Sequence, residues 1–383
     1  MNPRSRAFAG PLLGLLALSV LLAGCGTASP AATKAESHRA PPKVQRAAQT
    51  PPQPFHGALP ALDAVQFVTP AVGFLAGQGI VLSTGDGGAT WTQIYDGPQT
   101  IRTLDFVSAT EGWALTASGT VLSYNGKGRW QSVAASLGPV SAIHLSASGP
   151  SLLVTVQGTL YRAAQAEGPW QRERLADVQA LAFSGSSAGW AVTTGAAGPE
   201  VFATGDGGQT WTPSFTPTLG QAQGWLPSLS ASGGTAWLLL TSVGGQLGHQ
   251  PYVAYATSAG QPWHEVLAAP LFAAQGLYPA TPGSLSGFDA GPFAAAGTFA
   301  SFLSWAPGTP HDLLWLSVTA NGGQTWSQLP VSVQSPLEIP AFFAGVGIAL
   351  AGGNTVWLAG SRGGRGLALF SNDGGAHWQA AGL

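Results

Sequence analysis

The chain has 383 residues, of which 54 are Gly, 29 Pro and 14 Trp, while charged residues make up 8%, far below the roughly 25% of an ordinary soluble domain. So few Lys and Glu among so many turn residues excludes a fold built on long surface helices and predicts many short strands joined by turns. From residue 59 onward eight basic residues stand against fifteen acidic ones, and this surplus of about seven acids excludes nucleic acid as a partner, which needs a net basic surface to neutralise its phosphates.

Residues 1–24 place Arg4 and Arg6 ahead of an apolar run of export-signal length, too short and wrongly flanked for a permanent membrane span. The run ends in Leu22-Ala23-Gly24-Cys25, which resembles the lipobox of bacterial lipoproteins. That resemblance implies cleavage before Cys25, acylation of its sulfur, and anchoring to a lipid bilayer on the extracytoplasmic face of a bacterial membrane. Each buried acyl methylene contributes about 0.8 kcal/mol. Cys25 is the only cysteine, so disulfides and thiol catalysis are excluded. Residues 25–56 are expected to form a disordered tether, since the stretch 26–54 has six prolines and few large apolar side chains. Its Lys34, Arg39, Lys43 and Arg46 suit either solvent or anionic lipid.

From residue 57 to 383 one eight-residue phrase recurs: TGDGGATW at 84–91, TGDGGQTW at 204–211, TANGGQTW at 319–326 and SNDGGAHW at 371–378. Three weaker copies end at Trp130, Trp170 and Trp263, keeping the Trp and a glycine but not the acid. The seven tryptophans lie 39, 40, 41, 52, 63 and 52 residues apart, the length of a four-stranded propeller blade with insertions in the later units. Ahead of each turn an apolar residue is followed about seven positions on by an aromatic opening the next strand, as at Phe67 and Phe74, Phe106 and Trp113, Phe183 and Trp190. Runs such as IVLST, TVLSY, LLVTV and EVFAT are apolar or β-branched, as strands covered on both faces should be. The expected fold is all-β, a seven-bladed β-propeller behind a signal peptide and linker.

These repeats resemble the BNR or Asp-box family, whose pattern Ser/Thr-x-Asp-x-Gly-x-Thr-Trp occupies the hairpin between the third and fourth strands of a blade. Phrases such as EGWALTASGTVLSY followed by the boxed turn are more specifically similar to propellers related to the photosystem II assembly and stability factor. The resemblance covers residues 59–383 and implies architecture more than function, because such propellers include sialidases, other glycosidases, scaffolds and receptors.

The box explains itself without a ligand. Asp86 can accept bonds from the backbone N–H groups that follow it, Gly87 and Gly88 can take positive φ, Thr84 suits the strand end, and Trp91 buries an amphipathic ring. Thr204, Asp206, Gly208 and Trp211, then Asn321, Gly323 and Trp326, then Asp373, Gly375 and Trp378 are expected to repeat this structural role.

Catalysis is not expected. A sialidase needs three converging arginines, a Tyr–Glu pair and an acid/base Asp, and Arg102 is the one arginine near the start of an inner strand. The histidines at 56, 144, 249, 264, 311 and 377 lack metal-ligand spacing, so neither a metal nor a cofactor is implied. Inner-strand starts line one face of a propeller, which makes Asp63, Asp105 and His144 the candidate recognition residues. The aromatic, nearly uncharged segments 242–252 and 269–293 are candidate contact loops. The functional expectation is a membrane-anchored, non-catalytic binding or assembly scaffold with a protein partner. The alternative is a glycan-binding or glycosidase propeller of sialidase type.

Overall fold

The computed structural model describes residues 46–49, 51–134, 137–145, 152–165, 168–195, 198–219, 224–242, 252–258, 261–268, 289–305, 314–331, 346–362 and 364–382. Cys25, the leader, and most of the two candidate contact loops lie outside them. Among the described residues the strands form one eight-stranded and five four-stranded sheets, all paired antiparallel, with no α-helix. Each four-stranded sheet is a simple meander, for example Val178–Ser184, Ala188–Gly195, Gly198–Thr204 and Thr212–Phe215.

The eight-stranded sheet contains two such meanders joined through one long strand. Residues 92–96 of Thr92–Ser108 pair with the end of Gly73–Thr84, and residues 101–108 pair with Glu111–Thr116. Gly73–Thr84 is likewise two strands in one. Residues 73–77 pair with Leu62–Phe67 and residues 80–83 with the long strand, on either side of Gly79 at φ +76°. A two-residue reversal of this kind needs a left-handed residue, and glycine supplies it without a Cβ penalty.

Burial shows how the sheets stack. Glu111–Thr116, Ala188–Gly195 and Thr235–Ser242 are buried on both faces over five consecutive residues, whereas the outermost strand Thr212–Phe215 is largely exposed. Second strands are therefore covered by neighbouring sheets on both sides, which accounts for their continuous apolar runs. The innermost strands are keyed by a repeated contact: Phe67, Phe106 and Phe183 pair with Gly73, Gly112 and Gly189. A Cβ on any of these glycines would sit 2.3–2.4 Å from the opposing ring. The two meanders of the eight-stranded sheet share these aromatics, with Phe74 stacked on Phe106 at 3.7 Å.

The first and last sheets meet. Leu62, Leu75, Leu82 and Trp91 share one core cluster with Trp357, Ala359 and Ala368 of the last sheet. Segments from either end of the propeller, 59–60 and 379–380, pair along that sheet. Gln379–Ala380 pairs with Leu369 and Phe370, while Pro60 bridges Arg365 and Gly366 N–H donates to the Leu59 carbonyl at 2.8 Å. Within the span 25–56 expected as a tether, the described residues include two short paired strands. Arg46–Gln49 pairs with Arg129–Val133, and Gln53–Pro54 pairs with Thr92 and Gln93. Backbone pairing is indifferent to the Pro- and Ala-rich side chains, and two outer strands offered unfilled N–H and C=O groups to cover.

Candidate functional site

The four strong copies of the repeated turn are nearly superimposable in their bonding. Asp86 Oδ1 accepts from Thr90 N–H at 2.9 Å and from the Thr84 hydroxyl at 2.8 Å, and Oδ2 accepts from the Thr90 hydroxyl at 2.6 Å. Thr84 Oγ1 in turn accepts from Gly88 N–H at 2.9 Å. Asp206 repeats the set with Thr204 and Thr210 and adds Gln209 N–H. Asp373 does so with Ser371 and His377, whose Nδ1 lies 2.6 Å from Oδ2. Each turn is also tied to the loop between the first and second strands of its sheet. Gly87, Gly207, Gly322 and Gly374 donate N–H to the carbonyls of Ala71, Ser187, Thr298 and Asn354 at 2.8–2.9 Å.

These bonds explain the electrostatics. The Thr90 hydroxyl and amide hold Asp86 at a pKa of about 2 against an ordinary 3.8, and Thr210 does the same for Asp206. The His377 amide and ring hold Asp373 lower still. In the third turn Asn321 replaces the acid. Its Oδ1 accepts from Thr325 N–H at 3.0 Å and Thr319 Oγ1 at 2.9 Å, and its Nδ2 donates to Thr325 Oγ1 at 2.8 Å. The turn needs an acceptor oxygen at this position and keeps its geometry without the charge.

The second glycine of each turn is the point where neighbouring sheets touch. Gly88, Gly208, Gly323 and Gly375 have φ between +85° and +99°. A Cβ there would meet Trp357 at 2.4 Å, Leu153 at 3.0 Å, Val266 at 2.5 Å and Leu316 at 2.4 Å, in each case on the preceding sheet. For Gly88 the preceding sheet is the last of the chain. The tryptophans work in two ways. Trp91 and Trp211 donate Nε1–H to Gly88 and Gly208 within their own turns at 3.1 Å. Trp130 and Trp326 reach across to the Ile94 and Val266 carbonyls of the preceding outer strands at 2.7 and 3.1 Å.

The inner-strand starts present a different surface. Three innermost strands carry a register shift at the same place, between Leu62 and Ala64, Ile101 and Thr103, and Val178 and Ala180. The extra residues are Asp63, Arg102 and Gln179, each four positions before the keyed phenylalanine. A bulge of this kind re-aims a side chain. Asp63 is half-buried, and its pKa is raised by desolvation against the opposing pull of Arg102. Neither Asp63 nor Arg102 has a side-chain hydrogen bond or ion pair among the described residues, and Gln179 Nε2 bonds only back to the Asp177 carbonyl at 3.5 Å.

Asp63 and Asp105 stand at different positions relative to the phenylalanines of their strands. Asp105 is half-buried one position before Phe106, three residues further along its strand than the bulge. The matching position in the first sheet is Gln66, whose side-chain amide bridges the N–H and C=O of Phe106 at 2.8 and 3.2 Å. His144 pairs through its backbone with Leu153, and its side chain lies outside the described residues. Arg102 and Gln179 are the residues that belong beside Asp63. Counting back from each phenylalanine identifies them in the sequence. Among the described residues no three His, Cys, Asp or Glu gather as a metal site.

No family model and no curated protein matches the chain. Among solved structures it is similar to YCF48 bound to a D1 peptide, with 18% identity over 83% of this chain and 94% of that one and a TM-score of 0.50. It is similar to U3-55K at 12% identity, covering 81% of this chain and 91% of that one, TM-score 0.52. A third is the GH74 xyloglucanase from Xanthomonas campestris, at 13% identity and a TM-score of 0.53, where 87% of this chain spans only 54% of the enzyme. The meander sheets and these neighbours define an all-β propeller. At such identities the likeness shows the fold alone.

Proposed function

We propose that this chain is an exported lipoprotein, acylated at Cys25, whose seven-bladed Asp-box propeller binds a protein partner without catalysis on the extracytoplasmic side of a membrane. Counting the two meanders of the eight-stranded sheet with the five separate sheets supports seven blades. The observation that carries the binding role is the contrast between the two sets of polar residues. The turn residues Asp86, Asp206, Asn321 and Asp373 spend their acceptors on their own loops, which favours a folding role for them. Asp63 and Arg102, one half-buried and one exposed, stand with unfilled hydrogen-bonding capacity at the inner-strand starts. A carboxylate beside a guanidinium suits the amide and charged groups of a polypeptide. The similar propeller of YCF48 is bound to a D1 peptide, which supports a peptide segment as the ligand class.

Crosslinking followed by affinity purification from native membranes tests the reading. A discrete protein partner, lost in Asp63→Ala/Arg102→Ala, is the expected result, and recovery of the chain alone from both would overturn it. Cys25→Ser should release the chain from the membrane fraction, and unchanged retention would refute the lipid anchor. The GH74 likeness favours a glycan-directed reading as the alternative. That reading predicts turnover of a xyloglucan oligosaccharide dependent on an inner-strand acid, and no turnover by the purified chain would dismiss it.

A further inference from the structure

The few cations of the propeller are not spread around it. Residues 121–174 carry five basic residues (Lys127, Arg129, Arg162, Arg172 and Arg174) and two acidic ones, whereas the rest of 59–383 carries three basic and thirteen acidic. These five sit on two sheets that share a core, through Val121 and Val133 against Ile143 and Val154, with Trp113 and Trp170 rings 6.1 Å apart. Arg129 opens the strand next in from Arg46–Gln49 at the edge of one sheet, and Lys127 lies in the turn before it. Arg172 lies on the outer strand of the next sheet, and Arg174 two residues on. Arg162 is paired with Glu173 at 2.8 Å. The other four are exposed and make no ion pair among the described residues. One sector of the rim is thus positive on a molecule that is otherwise strongly negative.

The N-terminal segment enters the propeller at that same sector. Arg46 pairs with Gln131, and Gln49 with Arg129, so the described strand Arg46–Gln49 lies on the same sheet that carries Lys127 and Arg129. Only 20 residues separate Cys25 from Arg46, a span of roughly 25 Å as a flexible coil. We infer that this rim sector is a docking surface for anionic lipid headgroups, which sets the propeller on its edge against the bilayer with the sheets of Arg129–Val133 and Gln171–Arg172 facing the membrane. Each Lys or Arg held near an anionic leaflet strengthens attachment about fivefold, and the attraction decays within a Debye length of about 8–10 Å. The acidic remainder of the disc is repelled by the same surface. Edge-on docking leaves the inner-strand starts open to a partner.

This inference rests on the proposed anchor only for keeping the propeller near a bilayer. The test uses the full chain reconstituted into vesicles of phosphatidylcholine alone or with about one third phosphatidylglycerol, followed by hydrogen exchange. Anionic vesicles should slow exchange by about fivefold in Arg129–Val133 and Gln171–Arg172 and leave Ser327–Val331 unchanged. The protection should vanish in 0.5 M salt and in Arg129→Gln/Arg172→Gln/Arg174→Gln, whose docking should weaken on the order of 100-fold. Equal exchange in both vesicle types, or protection of Ser327–Val331 instead, would overturn the inference. Failure of the anchor reads differently, as loss of the chain from every vesicle.

Discussion

Gly88→Ala separates the two things the repeated turn does. Gly88 is buried at φ +94°, and an added Cβ would lie 2.4 and 2.5 Å from Cη2 and Cζ2 of Trp357. That ring cannot swing aside, being 1% exposed and stacked between Phe67 at 5.1 Å and Phe370 at 5.0 Å. Overpacking of a rigid core costs about 1–3 kcal/mol, and the left-handed backbone adds about 1–2 kcal/mol for an alanine, so the substitution should destabilise by about 2–5 kcal/mol. Gly322→Ala isolates the backbone cost, because Gly322 has φ +72° with nothing within 4 Å of a Cβ. It should lose only about 1–2 kcal/mol. Gly205→Ala, with open space and no positive φ, should stay within about 0.5 kcal/mol of the parent. Equilibrium denaturant unfolding followed by tryptophan fluorescence measures all three. If Gly88→Ala were no worse than Gly322→Ala, the turn glycine would not be packing the first sheet against the last.

The acids of the turns predict an acid limb in stability. Their folded pKa values are depressed to about 2 at Asp86 and Asp206, so they stabilise above the unfolded value near 4, and that contribution is lost as pH falls toward 2. Asp206→Asn, which copies Asn321, should retain the fold at pH 7 and flatten the unfolding midpoint between pH 4 and 2; an unchanged acid limb would count against the bonding described. Trp130→Phe removes the Nε1–H that donates to the buried Ile94 carbonyl at 2.7 Å and should cost about 1–3 kcal/mol beyond the ring change. Trp378→Phe should cost less in the same assay, since Nε1 of Trp378 has no hydrogen-bond partner among the described residues. Arg102→Gln should raise the titration midpoint of Asp63 further, because the lowering pull of the guanidinium is removed while burial remains; a carboxyl-resolved NMR titration reads the direction.

Much of the fold is legible because the blade is written in local chemistry. The D-G-G turn states where the third strand ends, and the Phe-to-aromatic spacing states where the first strand turns into the second. Contacts between sheets leave no such trace. Nothing near Gly88 in sequence announces Trp357, and the glycine reads equally well as a turn requirement alone. The paired strands Arg46–Gln49 and Gln53–Pro54 are hidden for a related reason, since composition reports which side chains cannot form a core and says nothing of a backbone that borrows another strand's edge. At the inner-strand starts Asp63 is visible as an acid, but a bulge shifts the alternation by one residue. Its position relative to the keyed phenylalanine is therefore shared with Arg102 and Gln179 rather than with Asp105.

The central claim is that the inner-strand starts, and not the repeated turns, receive a protein partner. Photocrosslinking residues placed singly at Gln179 and at Ala89, both exposed, test it in native membranes. The account predicts a discrete higher-mass adduct from position 179 that disappears with Asp63→Ala/Arg102→Ala, and none from position 89. An adduct from position 89, or none from either, would contradict it.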